Sequence, residues 1–164
     1  AIKFKPGVLH SCLPEDVSRL VDSHIPLSKY IEHEVIDELK SKESFPGRVE
    51  FTEDWLLSNL HLFKTDFRFD IVSKAIYYIN SCKEYKASVV SKHVGVSNST
   101  LNRHFKVLLG VSPKQCFKAF RFKTALKSYR YAGSNDLYDE LGYTDFSHFV
   151  KEAKGLANEL PSKL

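Results

Sequence analysis

Residues 87–109 read ASVVSKHVGVSNSTLNRHFKVLL, and they predict two short helices joined by a tight turn. Over Ala87–Val94, Val90 and Val94 fall at i, i+4 and share an inward face. Ser91 is small, as the close crossing of a second helix requires. Gly95 turns the chain, because glycine takes the left-handed conformation at little cost. Val96 fills the core beneath the turn. Ser97 stands where a side-chain oxygen can cap the next helix by accepting a backbone N–H.

That next helix, Asn98–Leu109, separates into two faces. Leu101, Phe105, Leu108 and Leu109 recur at i, i+4, i+7 and i+8 and are expected to bury. Ser99, Asn102, Arg103 and Lys106 recur at i, i+3, i+4 and i+7 on the opposite side. Such a polar face fits a major groove. Arg103 can donate two bonds to a guanine edge, Asn102 can pair with adenine, and Lys106 can reach a phosphate. The same face would also suit a solvated helix.

Downstream, Ser112 and Pro113 announce another helix, with proline in the first turn, where its missing N–H costs nothing. It is expected to run over 113–131. Cys116, Phe117 and Phe120 make one apolar stripe. Phe122, Ala125, Leu126 and Tyr129 make a second, so the helix suits a place between two small cores. Lys114, Lys118, Arg121, Lys123, Lys127 and Arg130 fill the remainder. A second helix pair follows: Asn135–Leu141, a turn at Gly142, and a helix over 146–156 capped by Asp145. Its outer face carries Phe146, Ser147, Val150, Lys151 and Lys154.

The run resembles the AraC/XylS family of bacterial transcription regulators. The residues that carry the resemblance are Gly95-Val96-Ser97, Leu101 to Lys106, Gly110-Val111-Ser112-Pro113, Arg121, Ala125, Leu141 to Phe149, Lys151, Lys154 and Pro161. It covers about residues 70–164. It implies an all-α DNA-binding domain of two helix-turn-helix units, about 70–111 and 132–164, joined by the linker helix. Each unit would place one helix in successive major grooves of double-stranded DNA. Ser99, Asn102, Arg103, Ser147 and Lys151 are then the base-reading candidates. Ser97, Lys106, Lys114 and Lys154 are the candidates for the DNA backbone. The resemblance also implies RNA polymerase as a partner, a homodimer for the intact regulator, and a bacterial cytoplasm. Departures gather in the second unit and the linker helix. Tyr138 replaces a usual alanine, Ala153 a phenylalanine and Cys116 a tyrosine, while Asn158 and Leu160 replace glycine and Ser/Thr.

Residues 1–69 are expected to be a helical connector. Lys3-Phe4-Lys5-Pro6-Gly7 looks like the last strand of the family's sensory β-barrel, so a residual strand is expected at Ala1–Pro6, with the barrel itself absent. A short helix is expected around Pro14–Leu20, and longer ones over 27–40, 49–62 and 70–81. Trp55 reads as a core aromatic. His24 and His33 lack a third ligand at a useful spacing, so no metal or other cofactor is expected. The chain begins at Ala1 and has no methionine, as a portion of a longer protein would.

Charge is unevenly spread. Residues 70–131 hold 12 Lys/Arg against Asp70 and Glu84, a net of +10, between flanking segments that each carry −3. A basic block between acidic ones suits a polyanion. Cys12, Cys82 and Cys116 fit neither a disulfide framework nor a metal pair, and reduced thiols are expected. No apolar run reaches membrane-spanning length. Asp145, Ser147 and His148 crowd one helix start and cannot line up as nucleophile, base and orienter, so no enzyme is expected. The alternative to DNA binding is a protein-interaction module with a degenerate second unit.

Overall fold

The computed structural model describes residues 3–12, 16–59, 66–132 and 141–164. Every regular element among them is helical. The α-helices are α1 (Val8–Cys12), α2 (His33–Ser41), α3 (Phe45–Ser58), α4 (Phe67–Cys82), α5 (Ala87–His93), α6 (Asn98–Leu109), α7 (Pro113–Ala132) and α8 (Phe146–Ala157). Short 3₁₀ turns lie at Val17–Leu20, Leu27–Lys29 and Pro161–Lys163.

Side-chain caps fix the starts of five α-helices, α3, α4, α6, α7 and α8. Ser97 accepts from the Thr100 amide at 3.0 Å, and Asp145 accepts from the His148 amide at 2.7 Å. Ser112 and Gln115 form a reciprocal box. The Ser112 amide donates to Gln115 Oε1 at 2.9 Å, and the Gln115 amide donates to Ser112 Oγ at 3.3 Å. Two orphan donors at the start of α7 are thereby satisfied. Asn158 stands where the resemblance implies glycine. At φ 55° it ends α8 in the left-handed region, with its amide on the Lys154 carbonyl, a conformation asparagine tolerates better than most residues.

Two cores share one helix. The first collects Val72, Ala75, Ile76 and Ile79 of α4, Val90 of α5, Leu101, Phe105 and Leu108 of α6, and Phe117 of α7. The second collects Phe122 and Ala125 of α7, Leu141 and Tyr143, and Phe149 and Ala153 of α8. The two stripes of α7 therefore serve different cores. Cys116 and Phe120 pack against the first, Leu126 and Tyr129 against the second. Burial of Cys116 pushes its thiol up to about 12, which leaves it unreactive.

The N-terminal third differs from expectation. Lys3–Pro6 forms no strand; the chain turns at Pro6-Gly7 into α1, with the Val8 amide on the Lys5 carbonyl at 3.2 Å. A strand needs a neighbour for its backbone groups, and the described segments offer none; Ala1 and Ile2 lie outside them. The expected helix at Pro14–Leu20 is the 3₁₀ turn Val17–Leu20, and residues 14 and 15 lie outside the described residues. The expected 27–40 helix is divided into a 3₁₀ turn and α2. Its apolar positions Leu27, Ile31, Val35 and Leu39 still line one groove of about 280 Å³ with Phe51, Trp55 and Leu56 of α3. Trp55 is thus half-buried in this groove. Helix α3 starts four residues before its expected position. Ser44 caps its start by accepting the Gly47 amide, and Pro46 fits the first turn. Residues 60–62 lie outside the described residues.

Segments before and after residue 69 pack together. Helix α1 and the 3₁₀ turn at Val17 lie against α6. The approach is closest at Gly110, which ends α6 at φ +73°. A side chain there would stand 2.7 Å from Ser18 Cα and 2.8 Å from the Val17 carbonyl oxygen. The left-handed turn and the backbone seat both require glycine.

Candidate nucleic-acid interface

Helices α5 and α6 meet across Val94–Ser97. Gly95 sits at φ +74° with no atom within 4 Å of where a Cβ would be, so its requirement is conformational rather than steric. Ser91 is buried at the crossing, and its carbonyl accepts the Val96 amide at 3.0 Å. Leu101 and Phe105 are fully buried and Leu108 nearly so. Phe105 meets Phe117 of α7 edge-on, with centroids 5.4 Å apart. On the far side Ser97, Ser99, Arg103 and Lys106 are exposed and Asn102 is half-buried. The four outward positions expected from spacing therefore share one accessible face, on a helix whose back is fixed.

His104 was not singled out by sequence. It is 2% exposed, its ring meets Phe67 edge-on at 5.8 Å, and its Nδ1 has no hydrogen-bond partner. Position 104 completes the buried series 101, 104, 105, 108, which the i, i+3, i+4, i+7 pattern could have revealed. Burial, reinforced by Arg103 and Arg68, holds the imidazole below its ordinary value near 6.5. The unfolded chain then binds a proton that the folded chain resists. Stability is full above about pH 6.5 and falls as the pH drops through 6.5 towards the lower folded value. Between about pH 7.5 and 5.5, the urea midpoint of the native chain should fall further than that of His104→Leu. Equal falls would show that His104 does not contribute.

Helix α8 presents a different surface. Ser147, Lys151 and Lys154 are exposed, and Val150 is half-buried. Phe146 is 40% exposed and leans on Tyr129 of α7 at 5.8 Å, so it lies at the edge of the face expected to hold it. Buried on the opposite side are Phe149, Ala153 and, unexpectedly, Glu152. The first helix expected for this unit, Asn135–Leu141, lies outside the described residues except for Leu141, which is buried. Tyr138 lies outside them too.

Residues 90–164 match a family model described as a helix-turn-helix domain. This segment is an AraC-type helix-turn-helix domain. No curated protein and no solved structure matches the chain. The AraC-type domain begins within α5 and takes in α6, α7 and α8, so both outward faces belong to it. Domains of this type are the DNA-binding part of transcription regulators. Lys114 stands exposed in the first turn of α7, and Lys118 reaches across to α8, its Nζ 4.0 Å from where a Cβ on Gly155 would be. Arg121, by contrast, is engaged by Glu152 at 2.5 Å. Among the described residues no group of three or more His, Cys, Asp or Glu could hold a metal ion, and His24 and His33 are both exposed. No described helix is long and apolar enough to cross a membrane.

Proposed function

We propose that the chain is a sequence-specific, double-stranded-DNA-binding transcription regulator that sets α6 and α8 into successive major grooves, with α6 supplying most of the specificity. The carrying observation is the face of α6: Ser99, Asn102, Arg103 and Lys106 point away from a back formed by Leu101, Phe105 and Leu108. Ser99, Asn102 and Arg103 read base edges, and Ser97 and Lys106 hold the DNA backbone. Arg103 offers the planar fork that matches a guanine edge.

Helix α8 adds Ser147 and Lys151 at bases and Lys154 at a phosphate, with Lys114 at a phosphate from α7. Its reading surface is poorer in hydrogen-bonding groups. Phe146 and Val150 at best touch a thymine methyl, and residues 132–164 hold six acidic against three basic residues, an excess that disfavours phosphate even with Glu152 neutralised by Arg121. RNA polymerase and a second copy of the intact regulator are the proposed protein partners, in a bacterial cytoplasm.

Arg103→Ala and Lys151→Ala, measured on one selected duplex at one salt concentration, test the inequality. Arg103→Ala is expected to cost roughly 1–3 kcal/mol and to relax preference at one base position. Lys151→Ala should cost less and relax base preference less than Arg103→Ala does. A larger, more sequence-dependent loss for Lys151→Ala would reverse the roles of the two helices.

A further inference from the structure

Helix α8 buries only two apolar residues of its own, Phe149 and Ala153, where α6 buries Leu101, Phe105 and Leu108. The remainder of its inner face is Glu152, which is 5% exposed. Both carboxylate oxygens are engaged. Arg121 Nη2 donates to Oε2 at 2.5 Å and Nε to Oε1 at 3.3 Å. The Tyr143 hydroxyl also donates to Oε1. The Arg121 guanidinium lies 4.5 Å from the centroid of the Tyr143 ring. One cluster therefore joins the linker helix, the turn before α8, and α8 itself.

Two small apolar contacts restrain the rotation of a helix less sharply than a forked guanidinium–carboxylate pair, whose parallel bonds fix direction as well as distance. Buried ion pairs also contribute little net stability compared with apolar packing, and their best-attested use is to specify one arrangement. Lys151 immediately precedes Glu152, so any rotation of Glu152 about the α8 axis displaces Lys151 as well.

We infer that Glu152 is a positioning residue: held by Arg121 and Tyr143, it fixes the rotation of α8 and so the placement of Ser147 and Lys151 on DNA. This rests on the proposed entry of α8 into a groove. The test uses a selected duplex and a second duplex in which only the bases under α8 are scrambled. The native chain should prefer the first. Glu152→Gln should erode that preference about tenfold, roughly the discrimination carried by one base pair. Its affinity for the scrambled duplex should stay within about twofold. Arg121→Gln should do the same, and the double variant should lose little more, because the two act as one unit. Tyr143→Phe, which keeps the ion pair, should give a smaller loss in the same sense and serves if the other variants fold poorly.

A merely structural role would lower affinity for both duplexes together, and that result would overturn the inference. So would an unchanged preference in Glu152→Gln and Arg121→Gln. If the native chain shows no preference between the duplexes, the reading by α8 itself fails and the inference falls with it.

Discussion

Phe105→Ala is expected to destabilise the chain by roughly 3–5 kcal/mol, the range for removing a large aromatic from a packed interior. Phe105 is fully buried and meets Phe117 edge-on, so truncation empties the junction of α6 and α7. Domains of this size are stable by only about 5–15 kcal/mol, so the loss should move a urea midpoint far. Lys106→Ala, one residue along and exposed, should change stability by no more than about 0.5 kcal/mol. A Phe105→Ala loss below about 1 kcal/mol would mean that α6 is not seated on the core in the way described. The consequence is functional, because the outward groups of α6 can be presented in fixed register only if its back is immobile.

Binding should also depend steeply on salt. Lys106, Lys114 and Lys154 are the proposed phosphate contacts, and each is exposed. Neutralising three phosphates gives a slope of about −2.7 in log affinity against log salt. Between about 50 and 200 mM salt the affinity should then fall about 40-fold. Replacing any one of the three lysines by alanine should make the slope shallower by about 0.9. A titration that hardly changes over this range would remove phosphate contact as the source of affinity. It would favour an acidic protein partner for the basic block instead.

The elements legible in sequence were those whose ends are written locally. Helix α6 occupies the predicted span because Ser97 caps its start and Gly110 turns its end. Helix α7 was legible for the same reason, with the Ser112–Gln115 box at its start, and its two stripes foretold two cores. Helix α1 and the turn at Val17 were less legible because tertiary contact helps hold them. Val17 and Gly7 are buried, and Gly7 would meet Phe69 and Leu108 if it had a side chain. The strand expected at the N-terminus rested on likeness to a barrel strand, and the described residues give Lys3–Pro6 no partner to pair with.

Within the candidate site, the polar face of α6 followed from spacing, but two buried ionisable groups did not. His104 was hidden by its residue type, although its position fits the buried series. Glu152 was hidden more deeply. A glutamate on an amphipathic helix reads as a solvent group, and the arginine that holds it lies 31 residues away. Only the folded chain brings them together. Arg121 could be recognised as a member of the resemblance, but not as the partner of a residue in α8.

The central claim is that the outward face of α6 reads DNA sequence. It is tested most directly by selecting bound duplexes from a random pool, then measuring affinity for the selected duplex and a scrambled one at the same salt. The account predicts a preference of at least about a thousandfold, the lower end of the range for specific over non-specific sites. Equal affinity for the two duplexes, or a pool that never converges on a sequence, would contradict it.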